Sequence, residues 1–119
     1  MKYSQRDIVF VNYPQPDGSF KPHPGLIVSV NLVFELEEIY IMVMLSTKTI
    51  NEEFAFEITQ DMLNSKSNKE VFYAKCQIIA SFQEYEIIRR FGSIKKEYFA
   101  KLIQDLSKTV FGIDLANKA

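Results

Sequence analysis

The sequence predicts an α+β protein that is mostly β, a small antiparallel barrel with a helix at its C-terminal end. Two observations predict this fold class. Short stretches rich in β-branched and aromatic residues, separated by turn residues, recur between residues 8 and 91. From Lys95 onward, the spacing of apolar residues changes to that of an amphipathic helix. Several strands followed by one helix are typical of a small curved sheet with a helix packed on it.

The first two predicted strands are separated by a segment rich in turn residues. Ile8–Tyr13 (IVFVNY) is rich in strand-forming residues and is followed by PQPDG, which is a strong turn signal. Lys21–Pro24 holds two prolines in four residues, so we expect a loop there, since neither a helix nor a central strand fits. Gly25–Val30 (GLIVSV) predicts a buried strand.

The middle of the chain predicts two further strands. Asn31–Glu38 has no helix breaker and is either a connector or a short helical turn. Ile39–Leu45 (IYIMVML) is a continuous apolar run of strand length, typical of a central strand covered on both faces. Phe54–Ile58 alternates apolar and outward-facing residues, as a half-buried strand does. Ser46–Glu52 and Asn64–Lys69 are polar and predict loops.

The last elements are two strands and the helix. Val71–Ser81 and Ile87–Phe91 predict strands. One helical face then carries five apolar residues: Phe99, Leu102, Ile103, Leu106 and Val110. Gly112 follows this face directly, where a glycine C-cap is expected.

Size and composition set limits on function. A chain of 119 residues suits one domain over residues 1–119, and 47% hydrophobic against 24% charged residues is typical of a globular protein. The net charge of −1 excludes a molecule that binds nucleic acid over its whole surface, so an RNA site has to be a local patch. The single cysteine, Cys76, cannot form an internal disulfide, and no segment predicts a signal peptide or a membrane span. We therefore expect a cytoplasmic protein without a membrane partner.

Three segments, in order along the chain, are similar to a known toxin family. Arg6–Val30 (RDIVFVNYPQPDGSFKPHPGLIVSV) resembles the opening "GDIVLVDF…DGS…RPALVIS" of the MazF/PemK (Kid) ribonucleases of type II toxin–antitoxin systems. Tyr40–Lys48 (YIMVMLSTK) resembles the family's strand ending "PITSK". Within Tyr73–Leu106, YAKCQIIASF resembles "YVRCDQIRTI" and RRFGSIKKEYFAKLIQDL resembles "RKIGKLSKEDLEKVIEAL". The resemblance spans nearly the whole chain and implies the CcdB/Kid-type (Src-homology-3-like) barrel.

The resemblance also implies a set of site residues. The family's arginine before the loop proline corresponds to His23, and its strand-end threonine corresponds to Ser46. The basic residue and the aspartate of the "RCDQ" strand correspond to Lys75 and Gln77, and the arginine of "QIRTI" corresponds to Ala80. Family members cleave RNA without a metal or cofactor, by attack of the ribose 2′-hydroxyl, which leaves a cyclic phosphate and a free 5′-hydroxyl.

This chemistry assigns a role to each candidate. The protein has to remove the 2′ proton, stabilise negative charge on phosphorus and protonate the leaving oxygen. The imidazole of His23 titrates near neutral pH and suits proton transfer, Lys75 can hold the phosphate, and the Ser46 hydroxyl can donate to a non-bridging oxygen. Further residues are expected to contact RNA: Lys21, Thr47, Lys48 and Gln77.

Each candidate also has a structural interpretation. His23 is equally compatible with a solvated loop residue, Ser46 with a turn or capping residue, and Lys75 with a solvated strand face. Cys76 is better explained as a small core residue than as a nucleophile, because no base is near it in the sequence. The basic cluster Arg89-Arg90 with Lys95-Lys96 could contact phosphates or lie at a solvated helix entrance.

Other chemistries lack their motifs. The sequence has no Cys/His spacing for zinc, no glycine-rich phosphate loop, no HExxH and no GxSxG. The acidic pairs Glu37-Glu38 and Glu52-Glu53 are adjacent, so on a strand their side chains point to opposite faces. Nothing in the sequence argues for a metal or a cofactor.

Three hypotheses for function follow. The leading one is a toxin-type endoribonuclease that acts on single-stranded RNA as a homodimer, with an acidic antitoxin as its partner. The second is a catalytically weakened or inactive binding module for RNA, antitoxin or a protein target, as in the related gyrase inhibitor CcdB. The uncharged residues Gln77 and Ala80 favour this second hypothesis. A purely structural domain ranks last, because three motifs match in order.

Overall fold

The computed structural model describes residues 2–48, 53–65 and 71–116. Those parts of the chain form six strands, two α-helices and two short 3-10 helices, Gln60–Met62 and Glu84–Glu86. The strands are β1 (Asp7–Pro14), β2 (Phe20–Ile27), β3 (Ile39–Ser46), β4 (Ala55–Ile58), β5 (Phe72–Gln83) and β6 (Ile87–Ser93). The helices are α1 (Asn31–Glu37) and α2 (Lys96–Phe111).

The strands form one antiparallel sheet in the order β4-β5-β3-β2-β1-β6. The predicted mostly-β fold class with a C-terminal helix is confirmed, but the sheet does not close, because β4 and β6 remain its edges. The two edges nevertheless come close. Leu63, in the segment that follows β4, forms an isolated bridge with Ile94, and the Asn64 amide donates to the Ser93 carbonyl at 2.9 Å. The sheet is therefore strongly curled and open.

Each face of the sheet carries its own core. On one face, α2 covers a helix-side core that includes Val43 and Leu45 of β3. On the other face lies a second core that includes Met42 and Met44 of the same strand, and Phe34 of α1 packs against it. Successive residues of a strand point to opposite faces, so burial of both faces requires a continuous apolar run. The structure confirms the prediction of a central strand in Ile39–Leu45.

Helix α2 follows the predicted apolar face closely. Leu102 and Leu106 are buried in the helix-side core. Gly112 adopts a left-handed conformation with φ of 69°, and its amide donates to the Lys108 carbonyl at 3.1 Å, as expected of a C-cap. Val110 is 40% exposed, so the buried face stops one turn before the helix ends.

The prediction of a loop at Lys21–Pro24 is wrong. Strand β2 starts at Phe20, and its pairing with β1 runs from Phe20 opposite Pro14 to Leu26 opposite Ile8. Strand β3 pairs only with Gly25–Ile27, so the first half of β2 has one neighbour. The two prolines are two residues apart, and their nitrogens therefore face the same side of the strand. The side without a partner strand tolerates them, since no ladder hydrogen bond is lost there.

The strand predicted over Gly25–Val30 ends at Ile27, and Val30 is exposed at the start of α1. The remaining segments agree with the predictions where the structure describes them. Asn31–Glu37 adopts the helical alternative, with Glu38 left-handed at its C-terminal end. The predicted loops Ser46–Glu52 and Asn64–Lys69 lie partly outside the described residues. Within the described ranges, no helix is both long and apolar enough to cross a bilayer.

Candidate functional site

His23 lies in β2, on the sheet face that carries the second core. Ile27 belongs to that core, and His23 is four residues earlier on the same strand, so both side chains point to the same face. The ring of Tyr13, on β1, lies 5.1 Å from the imidazole between centroids, at a tilt of 33°. His23 is half-buried, and the strand it belongs to has no β3 partner at this position. The imidazole is therefore packed on one side and accessible on another.

The surroundings of His23 favour its neutral form. Burial lowers the pKa of His23 below its usual value of 6.5, and the charge of Lys75 lowers it further, with a smaller contribution from Lys21. A hydrogen bond with the backbone of Leu45 raises the pKa, but it does not outweigh these effects. At pH 7 the imidazole is therefore mainly neutral and able to accept a proton.

Ser46 is the last residue of β3 and follows Leu45 directly. Its hydroxyl donates to the Lys48 carbonyl at 2.7 Å and accepts the Lys48 amide at 3.0 Å. The hydroxyl thus closes a tight turn, which is the structural interpretation of this residue. The ladder between β2 and β3 ends with Gly25 opposite Met44, so His23 lies two residues before the ladder on β2 and Ser46 lies two residues beyond it on β3. The two predicted residues therefore lie at the same end of neighbouring strands.

A small cavity opens where β3 ends. Its volume is about 100 Å³, and it is lined by Ser46, Lys48, Ala55, Tyr73, Lys75, Gln77 and Ile78. Across the ladder, Tyr73 pairs with Ser46, and Lys75 pairs with Met44. Four of the residues predicted for the site, Ser46, Lys48, Lys75 and Gln77, therefore share one cavity.

The other predicted residues lie close by. Lys21 is on the same face of β2 as His23, and its charge acts on that imidazole. Thr47 is exposed between Ser46 and Lys48 but does not line the cavity. Ala80 packs against the second core, so the position of the family's arginine offers an apolar contact here. The structure thus places Lys21 and Lys75 on the sheet face that carries His23, near the point where β3 ends.

Cys76 is buried in the helix-side core, in agreement with its interpretation as a core residue. Burial, and to a lesser degree the charge of Asp105, raises the pKa of its thiol to about 11. A thiolate nucleophile is therefore not formed near neutral pH.

The basic cluster lies elsewhere in the sheet and has structural contacts. Arg90, on the edge strand β6, pairs with Asp7 at 3.0 Å. The Arg89 guanidinium lies 4.2 Å from the centre of the Phe10 ring. A larger cavity of about 590 Å³ beside α2 is lined in part by Lys96, and it contains none of the predicted site residues. Both features are separate from the site around His23.

Two aromatic residues of the site were missed from the sequence. Tyr13 packs against His23, and Tyr73 lines the cavity beside Ser46. Both lie on strands whose alternation was recognised, but which residues they face depends on the register between strands. A register of that kind is set by long-range pairing, for which the sequence carried no local signal.

No metal site accompanies these residues. Among the residues that the structure describes, no group of three or more His, Cys, Asp and Glu side chains could hold a metal ion. The donors that the cavity offers are ammonium groups, an amide and a hydroxyl, which suit a phosphate or a nucleobase better than a cation.

A family model matches most of the chain. Residues 4–110 match the model of a family described as PemK-like, MazF-like toxin of type II toxin–antitoxin system. A search of curated proteins finds no match for this sequence.

Solved structures with the same fold include three toxins. A mycobacterial endoribonuclease in complex with its cognate antitoxin has a TM-score of 0.69 and 16% identity, covering 91% of this chain and 94% of that one. The Mycobacterium tuberculosis toxin MazF-mt6 has a TM-score of 0.68 and 15% identity, with coverage of 92% and 99%. MazF from Deinococcus radiodurans has a TM-score of 0.70 and 11% identity, with coverage of 93% and 97%. At these identities the likeness shows a shared fold.

Proposed function

Because the chain belongs to the family of PemK-like, MazF-like toxins of type II toxin–antitoxin systems, we propose that it is a metal-independent endoribonuclease for single-stranded RNA. One observation carries this proposal. A half-buried imidazole, whose pKa is lowered by burial and by the charge of Lys75, shares one face of the sheet with that lysine, near the point where Ser46 terminates β3. A proton acceptor beside an anion-binding cation is the arrangement that attack by a ribose 2′-hydroxyl requires.

In the proposed reaction, His23 removes the proton of the 2′-hydroxyl. The 2′ oxygen attacks phosphorus, the bond from phosphorus to the 5′ oxygen breaks, and a 2′,3′-cyclic phosphate and a 5′-hydroxyl form. Lys75 stabilises the negative charge on the phosphorus oxygens during this step. The leaving 5′ oxygen takes a proton from water, and the imidazolium of His23 returns its proton to solvent. Atoms and charges balance without a cofactor.

Ser46 and the residues near it have supporting roles in the proposed reaction. The Ser46 hydroxyl holds Lys48 in the turn at the edge of the cavity, and donation to a phosphate oxygen requires exchange of its bond to the Lys48 carbonyl. In this proposal, Lys21, Thr47 and Lys48 would lie beside the reacting phosphate and would contact the RNA backbone. These contacts would form a local cationic patch on a chain whose net charge is −1.

The proposal extends to partners and cellular setting. An acidic antitoxin segment would be attracted to the same cations, Lys21, Lys48 and Lys75. One solved relative is described as bound to its cognate antitoxin, and another is a MazE-MazF complex from Deinococcus radiodurans. We further propose that the whole chain acts as a single toxin domain, in the cytoplasm and as a homodimer.

The test is cleavage of a defined single-stranded RNA by purified protein in the presence of EDTA. We expect fragments that carry 2′,3′-cyclic phosphate and 5′-hydroxyl ends, identified by mass spectrometry. His23→Ala, purified in parallel, controls for contaminating nuclease and should be almost inactive. Intact RNA at high protein concentration, or equal cleavage by His23→Ala, would overturn the proposal.

A second candidate function is a binding module that does not cleave. The observation that favours it is the Ser46 hydroxyl, which already bonds the Lys48 backbone through both its donor and an acceptor. A gel that shows RNA retained by the protein at full length, with no new ends, would support this alternative over the nuclease.

A further inference from the structure

We propose that Gln77 determines specificity by reading an adenine base that enters the cavity at the end of β3, next to the cleaved phosphate. The proposal rests on the ribonuclease function, since it assigns the base-binding part of the same site. Four features of the structure support it: a bulge, the size of the cavity, the chemistry of its lining and an aromatic wall.

The bulge lies in β5, opposite the middle of β3. Val43 pairs with Ile79, whereas the next residue, Met44, pairs with Lys75. Residues 76–78 therefore have no partner on β3. The bulge is anchored by Cys76, which is buried and whose amide donates to the Phe54 carbonyl at 3.1 Å. Such bulges redirect side chains and are frequent beside functional sites.

The consequence of the bulge is that no β3 residue lies opposite Gln77. The side chain of Gln77 is exposed and lines the cavity together with Ile78 and Lys75. Lys75 and Gln77 are two residues apart on β5, so their side chains point to the same face, as in any strand. Because residues 76–78 have no partner on β3, a ligand in this recess can reach both the amide of Gln77 and the ammonium of Lys75.

The size of the cavity limits its occupant to one small group. Its volume is about 100 Å³, well below the roughly 300–1,000 Å³ of sites for drug-sized ligands. A single nucleobase, including the two fused rings of a purine, is of comparable size, whereas two adjacent nucleotides are much larger. A phosphate alone would leave the apolar part of the lining, Ala55 and Ile78, without a partner. A nucleobase offers both an apolar face and a polar edge.

The polar side chains that line the cavity fall into two groups: some supply positive charge, and one can recognise a base. Lys48 and Lys75 present donors only and act as point charges, which suits the phosphate that flanks a base. The Ser46 hydroxyl is engaged in the turn with Lys48. Gln77 offers both a donor and an acceptor, and its side chain makes no hydrogen bond within the described parts of the chain. A carboxamide can pair with the adjacent donor and acceptor atoms of adenine, N6 and N7.

The fourth supporting feature is the aromatic ring of Tyr73, which forms one wall of the cavity. Tyr73 lines the same cavity and pairs with Ser46 across the ladder. Stacking of a base on an aromatic ring is favourable for any base, so Tyr73 would add affinity without selectivity. Selection among bases then depends on Gln77.

The experiment has two arms and four proteins: the parent, Gln77→Ala, Gln77→Glu and the matched control Gln104→Glu. Gln104 lies on α2 and lines a separate cavity. In the first arm, a library of single-stranded RNAs with random bases is cleaved and the new ends are sequenced. In the second arm, affinity is measured by fluorescence anisotropy for oligonucleotides with a 2′-deoxy sugar at the cut site and one varied neighbouring base.

We expect the parent and Gln104→Glu to prefer adenine by about tenfold or more at one position next to the cut, in both arms. Gln77→Ala should reduce this preference to less than about twofold, while preferences at other positions persist. Gln77→Glu should shift the preference toward cytosine, since a carboxylate accepts from cytosine N4. Equal melting temperatures of the four proteins establish that the variants fold.

Two results separate the failure of this inference from the failure of the proposed function. Cleavage by the parent together with an unchanged base preference in Gln77→Ala would overturn the role of Gln77 and leave the ribonuclease intact. Absence of cleavage by the parent would overturn the ribonuclease. In that case, adenine-dependent binding that Gln77→Ala abolishes would still support the base pocket, and binding without base preference would overturn it.

Discussion

The proposed role of His23 makes a quantitative prediction for the dependence of RNA cleavage on pH. Burial and the charge of Lys75 lower the pKa of His23 below 6.5, so at pH 7 more than about 75% of the imidazole is neutral. A general base acts in its neutral form, and protonation removes it. The value of kcat/KM should therefore fall on acidification, by about tenfold per pH unit below the pKa of His23, with a midpoint below 6.5.

Two variants test the assignment of this titration to His23. His23→Ala should lower kcat/KM at pH 7 by about 10²- to 10⁴-fold, the usual contribution of a general base, and should lack the acid limb. Lys75→Gln should lower kcat and also move the acid limb to higher pH, because the charge of Lys75 lowers the pKa of His23. The direction of this second shift distinguishes an electrostatic contact from a loss of phosphate binding alone.

The assay is initial-rate cleavage of a fluorophore-quencher oligonucleotide between pH 5 and pH 8 at constant ionic strength. Circular dichroism at each pH establishes that the protein stays folded. A rate that does not change over this range in the parent would refute the reasoning. The same would follow from an acid limb that persists with an unchanged midpoint in His23→Ala.

Four further predictions concern stability and reactivity. Ser46→Ala should lower the free energy of unfolding by about 1–2 kcal/mol, because the hydroxyl makes two hydrogen bonds to Lys48; urea denaturation against Ser46→Thr, which keeps the hydroxyl, measures the loss. Leu102→Ala should cost about 2–5 kcal/mol in the same experiment, since Leu102 is fully buried; a cost below about 1 kcal/mol would contradict the packing of α2. Tyr40→Phe should cost about 1 kcal/mol while cleavage is retained, because the hydroxyl of Tyr40 bonds residues away from the site, Glu84 among them. Cys76 should resist alkylation at pH 8 in the native protein and react rapidly in urea, because its thiol is buried and its pKa is about 11.

Several features of the fold could be predicted from the sequence because they depend on local patterns. The apolar run of β3 reflects burial on both faces of one strand, and the structure places its residues in two separate cores. The face of α2 and its C-cap at Gly112 follow from helical spacing and from the ease with which glycine adopts a positive φ. Each of these signals lies within a few residues of the feature that it predicts.

The proline-rich segment shows where local signals are insufficient. Two prolines in Lys21–Pro24 predicted a loop, but these residues form the first half of β2. Proline is excluded only where its missing amide would serve a ladder, and whether a ladder exists on that side depends on how far β3 extends. As a result, His23 is a strand residue whose imidazole packs against the ring of Tyr13.

The candidate site, like the fold, could be predicted from the sequence only in part. The residue types with the required chemistry, His23, Ser46 and Lys75, were identified from motifs, and the position of Ser46 at a strand end followed from the predicted strand Ile39–Leu45. Tyr13 and Tyr73 were missed, and the bulge that leaves Gln77 without a partner on β3 was not predicted. These features depend on the pairing of residues far apart in the chain.

The sequence by itself therefore determined most of the strands, the C-terminal helix, the faces that they bury and the side chains that are candidates for the proposed RNA cleavage. Hydrophobic periodicity, turn residues and side-chain chemistry are properties of short segments, so they can be recognised without a structure. Only the tertiary structure decided that the sheet stays open, that His23 lies on β2 just outside its ladder with β3, and that the pKa of His23 is lowered. Strand register and side-chain burial arise from contacts between residues that are far apart in the sequence. The charge state of a side chain depends on both, because they decide how far it is desolvated and which charges lie near it.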